Sequence, residues 1–120
     1  MDVTATSTSP GIKFDEPTQT LRIWGESYPE NAFEFYRPLL KWLDARVNTA
    51  PLTVEMDVTY MNTSSVKCVI DMFDRLEEGH QAGGAVCVVW RHRVEDERAR
   101  ELGEEFKEDL TLPFEMHAYA

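Results

Sequence analysis

Residues 62–65 read Asn-Thr-Ser-Ser and run on into VKCVIDMF, so three hydroxyls follow an asparagine where a helix is expected to begin. Hydroxyls in that position can serve as nucleophiles, phosphate ligands, helix caps or acceptors of a phosphoryl group. Capping needs only an oxygen of Asn62 or Thr63 against the unpaired amides of the first turn. Nucleophilic catalysis needs a base beside the hydroxyl and a third group to orient that base. No such set can be assembled from this chain.

The other candidate groups are weaker still. Glu55 and Asp57 lie two apart on one strand face, and paired carboxylates can do acid–base work. On an acidic chain they read more simply as a solvated face. His80, His92 and His117 are scattered, with no HxxxH or CxxC spacing that would gather them on an ion, and each reads as a surface or helix-end residue. No metal and no cofactor is expected. GHQAGGA lacks the GxxxxGK[ST] pattern of a phosphate-cradling loop, so Gly83 and Gly84 are expected to end a helix. The stretch 94–108 mixes both signs of charge and reads as a solvated, ion-paired helix face.

Charge narrows the partners. With 22 acidic against 12 basic residues, a net charge of -10, the chain lacks the basic surface that nucleic acid or anionic lipid requires. It favours partners carrying basic patches. Its 120 residues and 42% hydrophobic content fit one domain with a single core. Cys68 and Cys87 lie in apolar segments, as buried thiols of a reducing compartment do. There is no signal-peptide pattern and no apolar run near the length of a membrane span, so a cytoplasmic protein is expected.

The elements that must position the hydroxyls follow from periodicity. Residues 1–10 are small and polar and read as a flexible leader; residues 11–120 form the domain. Two short apolar runs, 12–14 and 20–24, flank a turn marked by Pro17 and predict a hairpin. A helix is expected after Ser27 or Tyr28, with Pro29 and Glu30 in its first turn and Phe33, Tyr36, Leu40, Leu43 and Val47 inward. Pro38 should kink it or divide it in two, since an interior proline costs about 3 kcal/mol.

Residues 52–60 alternate, placing Leu52, Val54, Met56, Val58 and Tyr60 on a buried face. A second helix, 63–80, carries Val66, Val69, Ile70, Phe73 and Leu76 inward. AVCVVWR reads as an inner strand. A third helix turns Ala99, Leu102 and Phe106 inward, and LTLPFEMHAY reads as an edge strand because of Pro113. The order β-β-α-β-α-β-α-β implies right-handed crossovers and a mixed, largely parallel sheet, and the polar alternate face of residues 53–59 implies helices mainly on one face.

A hydroxyl cluster at a strand–turn–helix junction resembles the phosphorylation site of STAS-type anti-sigma-factor antagonists, in which a strand ends in Asp-Ser-Ser. GESYPENAFEFY, YMNTSSVKCVIDMFDRLEE and EEFKEDLTLPFEM together resemble more closely the SiaC-like family of bacterial regulatory phosphoproteins, over about residues 20–116. That resemblance implies a STAS-like α/β fold and no enzymatic activity. It implies phosphorylation on a threonine by a dedicated protein kinase and removal of the phosphate by a PP2C-like phosphatase. The unphosphorylated form would bind and activate a diguanylate cyclase, linking the switch to cyclic di-GMP and biofilm behaviour.

Carried onto this chain, the acceptor is Thr63, while the STAS comparison points one residue on, to Ser64. The implied partner-binding surface comprises Tyr28, Pro29, Glu30 and Asn31 with Asn62, Ser64, Ser65 and Lys67. The alternative function is an anti-sigma-factor antagonist with a transcriptional output. An enzyme using Glu55, Asp57 or the hydroxyls ranks last.

Overall fold

The computed structural model covers residues 1–120. Its strands are β1 (Asp2–Val3), β2 (Gly11–Asp15), β3 (Thr20–Ser27), β4 (Leu52–Met61), β5 (Val86–Arg93) and β6 (Phe114–Tyr119). Its helices are α1 (Ala32–Arg46), α2 (Thr63–Gln81) and α3 (Glu97–Glu108). The strands form one six-stranded sheet in sequence order, antiparallel across β1, β2 and β3 and parallel from β3 to β6.

That order decides where the helices lie. Each of α1, α2 and α3 links neighbouring parallel strands moving the same way along the sheet. Right-handed crossovers therefore put all three on one face. Alternation along β4 agrees: Leu52, Val54, Met56 and Val58 are buried, and Thr53, Glu55 and Asp57 are half-exposed on the bare face. The mixed α/β domain expected from the sequence is the fold observed.

Several local features differ from the expectation. Residues 2–3, placed in a flexible leader by their composition, pair as β1 with Lys13 and Ile12. Thr6 Oγ1 accepts from the Ser9 backbone N–H at 3.0 Å, and Ser9 is buried. Helix α1 starts later than Pro29: Asn31 is its N-cap, accepting from Glu34 N–H at 3.1 Å. Pro38 lies inside α1 without dividing it. Both Pro38 and Glu34, whose carbonyl loses its usual donor there, are exposed, so water can replace the lost bond.

The inward stripe of α1 is Ala32, Tyr36, Leu39 and Leu43, with Leu40 only half-buried and Phe33 58% exposed. In α2, Cys68, Val69, Met72, Phe73 and Leu76 point inward, while Ile70, expected in the core, is 45% exposed. The reason is that α2 packs chiefly on α1 and the sheet, which leaves its far flank open toward α3. Leu102 is half-buried on the same opening. His92, expected at the surface, is buried on the helix-covered face of β5. Helix α3 is drawn close by Trp90, whose indole N–H donates to the Ala99 carbonyl at 3.0 Å. Gly103 permits this approach, since a Cβ there would stand 2.5 Å from the Trp90 ring.

Candidate functional site

The chain's hydroxyl cluster sits at the carboxyl ends of β3 and β4, the edge where open α/β sheets carry their sites. Asn62 lies between β4 and α2, and its side chain accepts from the Ser65 N–H at 2.9 Å. Its backbone N–H donates to the Ser27 carbonyl at 2.9 Å, tying the end of β4 to the end of β3. The SYPEN and NTSS segments are thus neighbours, joined through Ser27 and Asn62.

Below the surface a hydroxyl network fixes this junction. Ser27 Oγ donates to Ser65 Oγ at 2.8 Å and meets the Tyr36 hydroxyl at 2.6 Å, with all three residues buried. A serine has one hydroxyl proton, so with Ser27 donating to Ser65 the tyrosine donates to Ser27. Burial pushes the Tyr36 phenol up to about 12, which keeps it a neutral donor. Sequence reasoning missed Ser27 and assigned Tyr36 only to packing. A serine ending an alternating strand, opposite a helix start rich in hydroxyls, was the available signal.

The three candidate hydroxyls therefore differ in role. Ser65 is structural and buried, whereas Thr63 and Ser64 are exposed at the first two helical positions. The amides of those positions have no intrahelical acceptor. An oxyanion added there would meet free N–H groups, the positive end of α2 and Lys67, exposed one turn along. With the turn's hydrogen bonds running through Asn62 and Ser65, this geometry presents a hydroxyl to an outside reagent.

A register shift shapes the surface beside it. Gly25 pairs with Val58, but Glu26 pairs with Tyr60, so Thr59 is an extra residue in β4. Gly25 supplies a φ of 101° at this bulge, a conformation glycine adopts at little cost. The extra residue turns Tyr60 out of the core, where the alternation had placed it. Tyr60 is 46% exposed and packs edge-on against Tyr28, ring centroids 5.7 Å apart. Of the other expected surface residues, Pro29 is half-buried, Glu30 and Asn31 are exposed, and Asn31 also caps α1.

Four of the remaining candidates have structural partners. Glu55 accepts from Arg22 Nε at 2.7 Å and Asp57 from the Tyr119 hydroxyl at 2.8 Å, both on the bare sheet face. His117 pairs with Glu115 at 3.3 Å, and His92 Nδ1 lies 3.0 Å from the Arg93 carbonyl. No group of three or more His, Cys, Asp or Glu side chains is placed to hold a metal ion, and no helix is long and apolar enough to cross a membrane.

Residues 3–119 match the family model of SiaC family regulatory phosphoproteins. This chain belongs to the SiaC family. A protein of Pseudomonas aeruginosa strain UCBPP-PA14 is 36% identical over 121 residues, covering 99% of this chain and 96% of the relative. Among solved structures of SiaC family members, SiaC of P. aeruginosa superposes with a TM-score of 0.90 at 35% identity, over 99% of this chain and 98% of that one. A chain in the crystal structure of the diguanylate cyclase SiaD in complex with its activator SiaC, from the same organism, gives 0.94 at 36% identity, over 99% of both chains.

Proposed function

We propose that this SiaC family protein is a partner switch without enzymatic activity of its own, set by reversible phosphorylation of Thr63. Its hydroxyl form binds and activates a diguanylate cyclase, and its phosphorylated form does not. The observation that carries this reading is the acceptor turn: Thr63 is exposed at the first position of α2, beside the aromatic pair Tyr28 and Tyr60, in a chain of a regulatory phosphoprotein family. The likeness to SiaC, the activator of SiaD in P. aeruginosa, gives the partner class.

Thr63 is preferred to Ser64 because the SiaC family, to which the chain belongs, is the nearer of the two resemblances. Thr63 shares a helix line with Val66 and Ile70, the side chains open toward α3, and Ser64 lies about 100° further around the axis. A dedicated protein kinase supplies the phosphoryl group and a PP2C-like phosphatase removes it. A switch drawing on ATP and feeding a cyclic di-GMP pool operates in the cytoplasm. Tyr28, Pro29, Glu30, Asn31, Asn62, Ser64, Ser65 and Lys67 frame the surface the partners meet, with Ser65 acting from beneath.

The test is reconstitution. Protein purified from its own host is site-mapped by mass spectrometry, then assayed with its cyclase before and after phosphatase treatment. Phosphate on Thr63, with cyclic di-GMP synthesis raised only by the dephosphorylated form, supports the reading. A cyclase indifferent to the chain in both forms overturns it.

A further inference from the structure

The bare face of the sheet, opposite the three helices, carries a cleft of about 730 Å³ over β2 to β5. Lys13, Arg22 and Arg91 line it against two acids, Asp15 and Glu55. In a chain of net charge -10 this is a concentration of cations, set apart from the acids of α2 and α3. A helix is about 10 Å across, so acids on the outer surfaces of α2 and α3 stand beyond the ~8 Å over which physiological salt screens charge.

Both acids are already engaged, and the cations are not. Asp15 accepts from the Thr18 hydroxyl and backbone N–H. Glu55 accepts from Arg22 Nε at 2.7 Å, while Arg91 Nη1 stands 4.0 Å from it, too far for a hydrogen bond. Arg91 Nε is buried with no acceptor in the protein, and a buried donor left unmatched is unfavourable. Two guanidiniums bring five N–H donors each, more than one carboxylate can take. Lys13 pairs with no acid.

Trp24 supplies an apolar platform beside these donors. Gly11 is its partner across β2 and β3, and a Cβ at Gly11 would collide with the indole, so the ring lies against bare backbone. Arg22 stands 6.0 Å from the ring centroid, the outer limit of cation–π contact, and Trp24 stays half-exposed. An indole among guanidiniums and an ammonium suits a base and its phosphates, ring on ring and oxygens on N–H groups. The cleft also falls within the roughly 300–1,000 Å³ typical of small-molecule sites. An extended acidic peptide fits it less well. The strands beneath spend their backbone groups on one another, leaving none for the peptide's amides.

We infer that this cleft binds a nucleoside phosphate, with the base against Trp24 and the phosphate oxygens on the unspent donors of Arg91, Arg22 and Lys13. A nucleoside triphosphate and a cyclic dinucleotide both offer that chemistry. The floor strands β3 and β4 end at Ser27 and Met61, beside the hydroxyl turn, so the ligand lies on the same two strands as that turn but on the opposite face. The site requires neither the cyclase nor phosphorylation, and it stands or falls apart from the proposed switch.

The test is calorimetric titration of the full chain, without partners, against GTP, cyclic di-GMP, inorganic triphosphate and an oligoglutamate peptide. At least one nucleotide should bind about tenfold or more tighter than inorganic triphosphate, the margin that stacking on an indole provides. GTP ahead identifies the triphosphate as the ligand, and cyclic di-GMP ahead identifies the cyclic dinucleotide. Trp24→Ala should remove the margin. Because Trp24 also packs on β2, Arg91→Gln serves as a second variant that breaks no hydrogen bond. It should weaken nucleotide binding severalfold at low salt, with the difference shrinking as salt rises. Nucleotides bound no tighter than inorganic triphosphate, or not bound at all, overturn the assignment, as does an affinity insensitive to both substitutions. Oligoglutamate bound more tightly than either nucleotide would make the face a protein-docking surface and overturns it equally.

Discussion

Ser27 Oγ donates to Ser65 Oγ at 2.8 Å, so the last residue of β3 holds the first turn of α2 from beneath. The candidate acceptors Thr63 and Ser64 ride on that turn, and the Tyr36 hydroxyl completes the network from α1. Ser27→Ala would leave two buried hydroxyls without their shared partner and should cost about 1–3 kcal/mol in urea unfolding. Tyr36→Phe removes only the outer donor and should cost about 1 kcal/mol. Amide exchange at 63–66 should quicken in Ser27→Ala before global unfolding does. Unchanged exchange there would mean that Asn62 alone fixes the turn.

Periodicity carried most of the fold. The alternation of β4 and the continuous apolar run of β5 identified strands, and the polar alternate face of β4 put the helices on one side. It failed where a single residue breaks a period. Thr59 shifts the register of β4 and turns Tyr60 outward, and only Gly25, in the neighbouring strand, hints at this. Ile70 was assigned inward because apolar spacing cannot tell a core-facing flank from one facing an open groove. Pro38 stayed within one helix because its position faces solvent, which propensity does not report. In the candidate site, the exposed hydroxyl turn was legible from its run of hydroxyls, but the hub at Ser27 was not. Its importance comes from contacts 9 and 38 residues away.

The contrast between Phe73 and Ile70 tests the facing of α2. Phe73 is buried, its ring 5.1 Å from that of Phe106 and 5.8 Å from that of Phe114. Phe73→Ala should cost about 3–5 kcal/mol. Ile70→Ala, on the exposed flank, should stay within about 1 kcal/mol. Equal losses for the two, measured by thermal melts, would mean that the groove beside Ile70 closes in solution.

Glu77 ties α2 to the segment before β6. Its carboxylate accepts from the Thr111 hydroxyl and from the backbone N–H groups of Thr111 and Leu112 at 2.9 and 3.0 Å. These bonds, that from the Thr111 side chain foremost, hold its pKa down to about 2 against an ordinary 4.5. A carboxyl whose folded pKa is depressed stabilises the fold above its unfolded pKa, and the stabilisation is lost as pH falls through the folded one. Glu77→Gln should therefore melt below wild type at neutral pH, with the gap narrowing between about pH 4.5 and about pH 2. A gap independent of pH would assign the loss to packing alone.

Thr63 and Asn62 are adjacent, yet their substitutions should separate signalling from folding. Asn62 caps α2 through its side chain, so Asn62→Ala should cost about 1 kcal/mol. Thr63 is exposed at the first helical position, so Thr63→Ala should change stability by less than about 0.5 kcal/mol. It should also block phosphorylation and leave the chain permanently able to bind the cyclase. A phosphoryl group on Thr63 adds about 1.5 to 2 negative charges at neutral pH. At the positive end of α2, with free amides and Lys67 in reach, that charge should leave the melting temperature unchanged or slightly raised. Binding should fall all the same, because a partner surface fitted to a hydroxyl must desolvate a dianion. Thr63→Asp should show the same separation in weaker form, a carboxylate being smaller and less charged than a phosphate. The decisive comparison is the melt of the phosphorylated chain against its affinity for the cyclase. A phosphorylated chain that melts well below the hydroxyl form would show a switch working by unfolding the turn, not by occupying the surface.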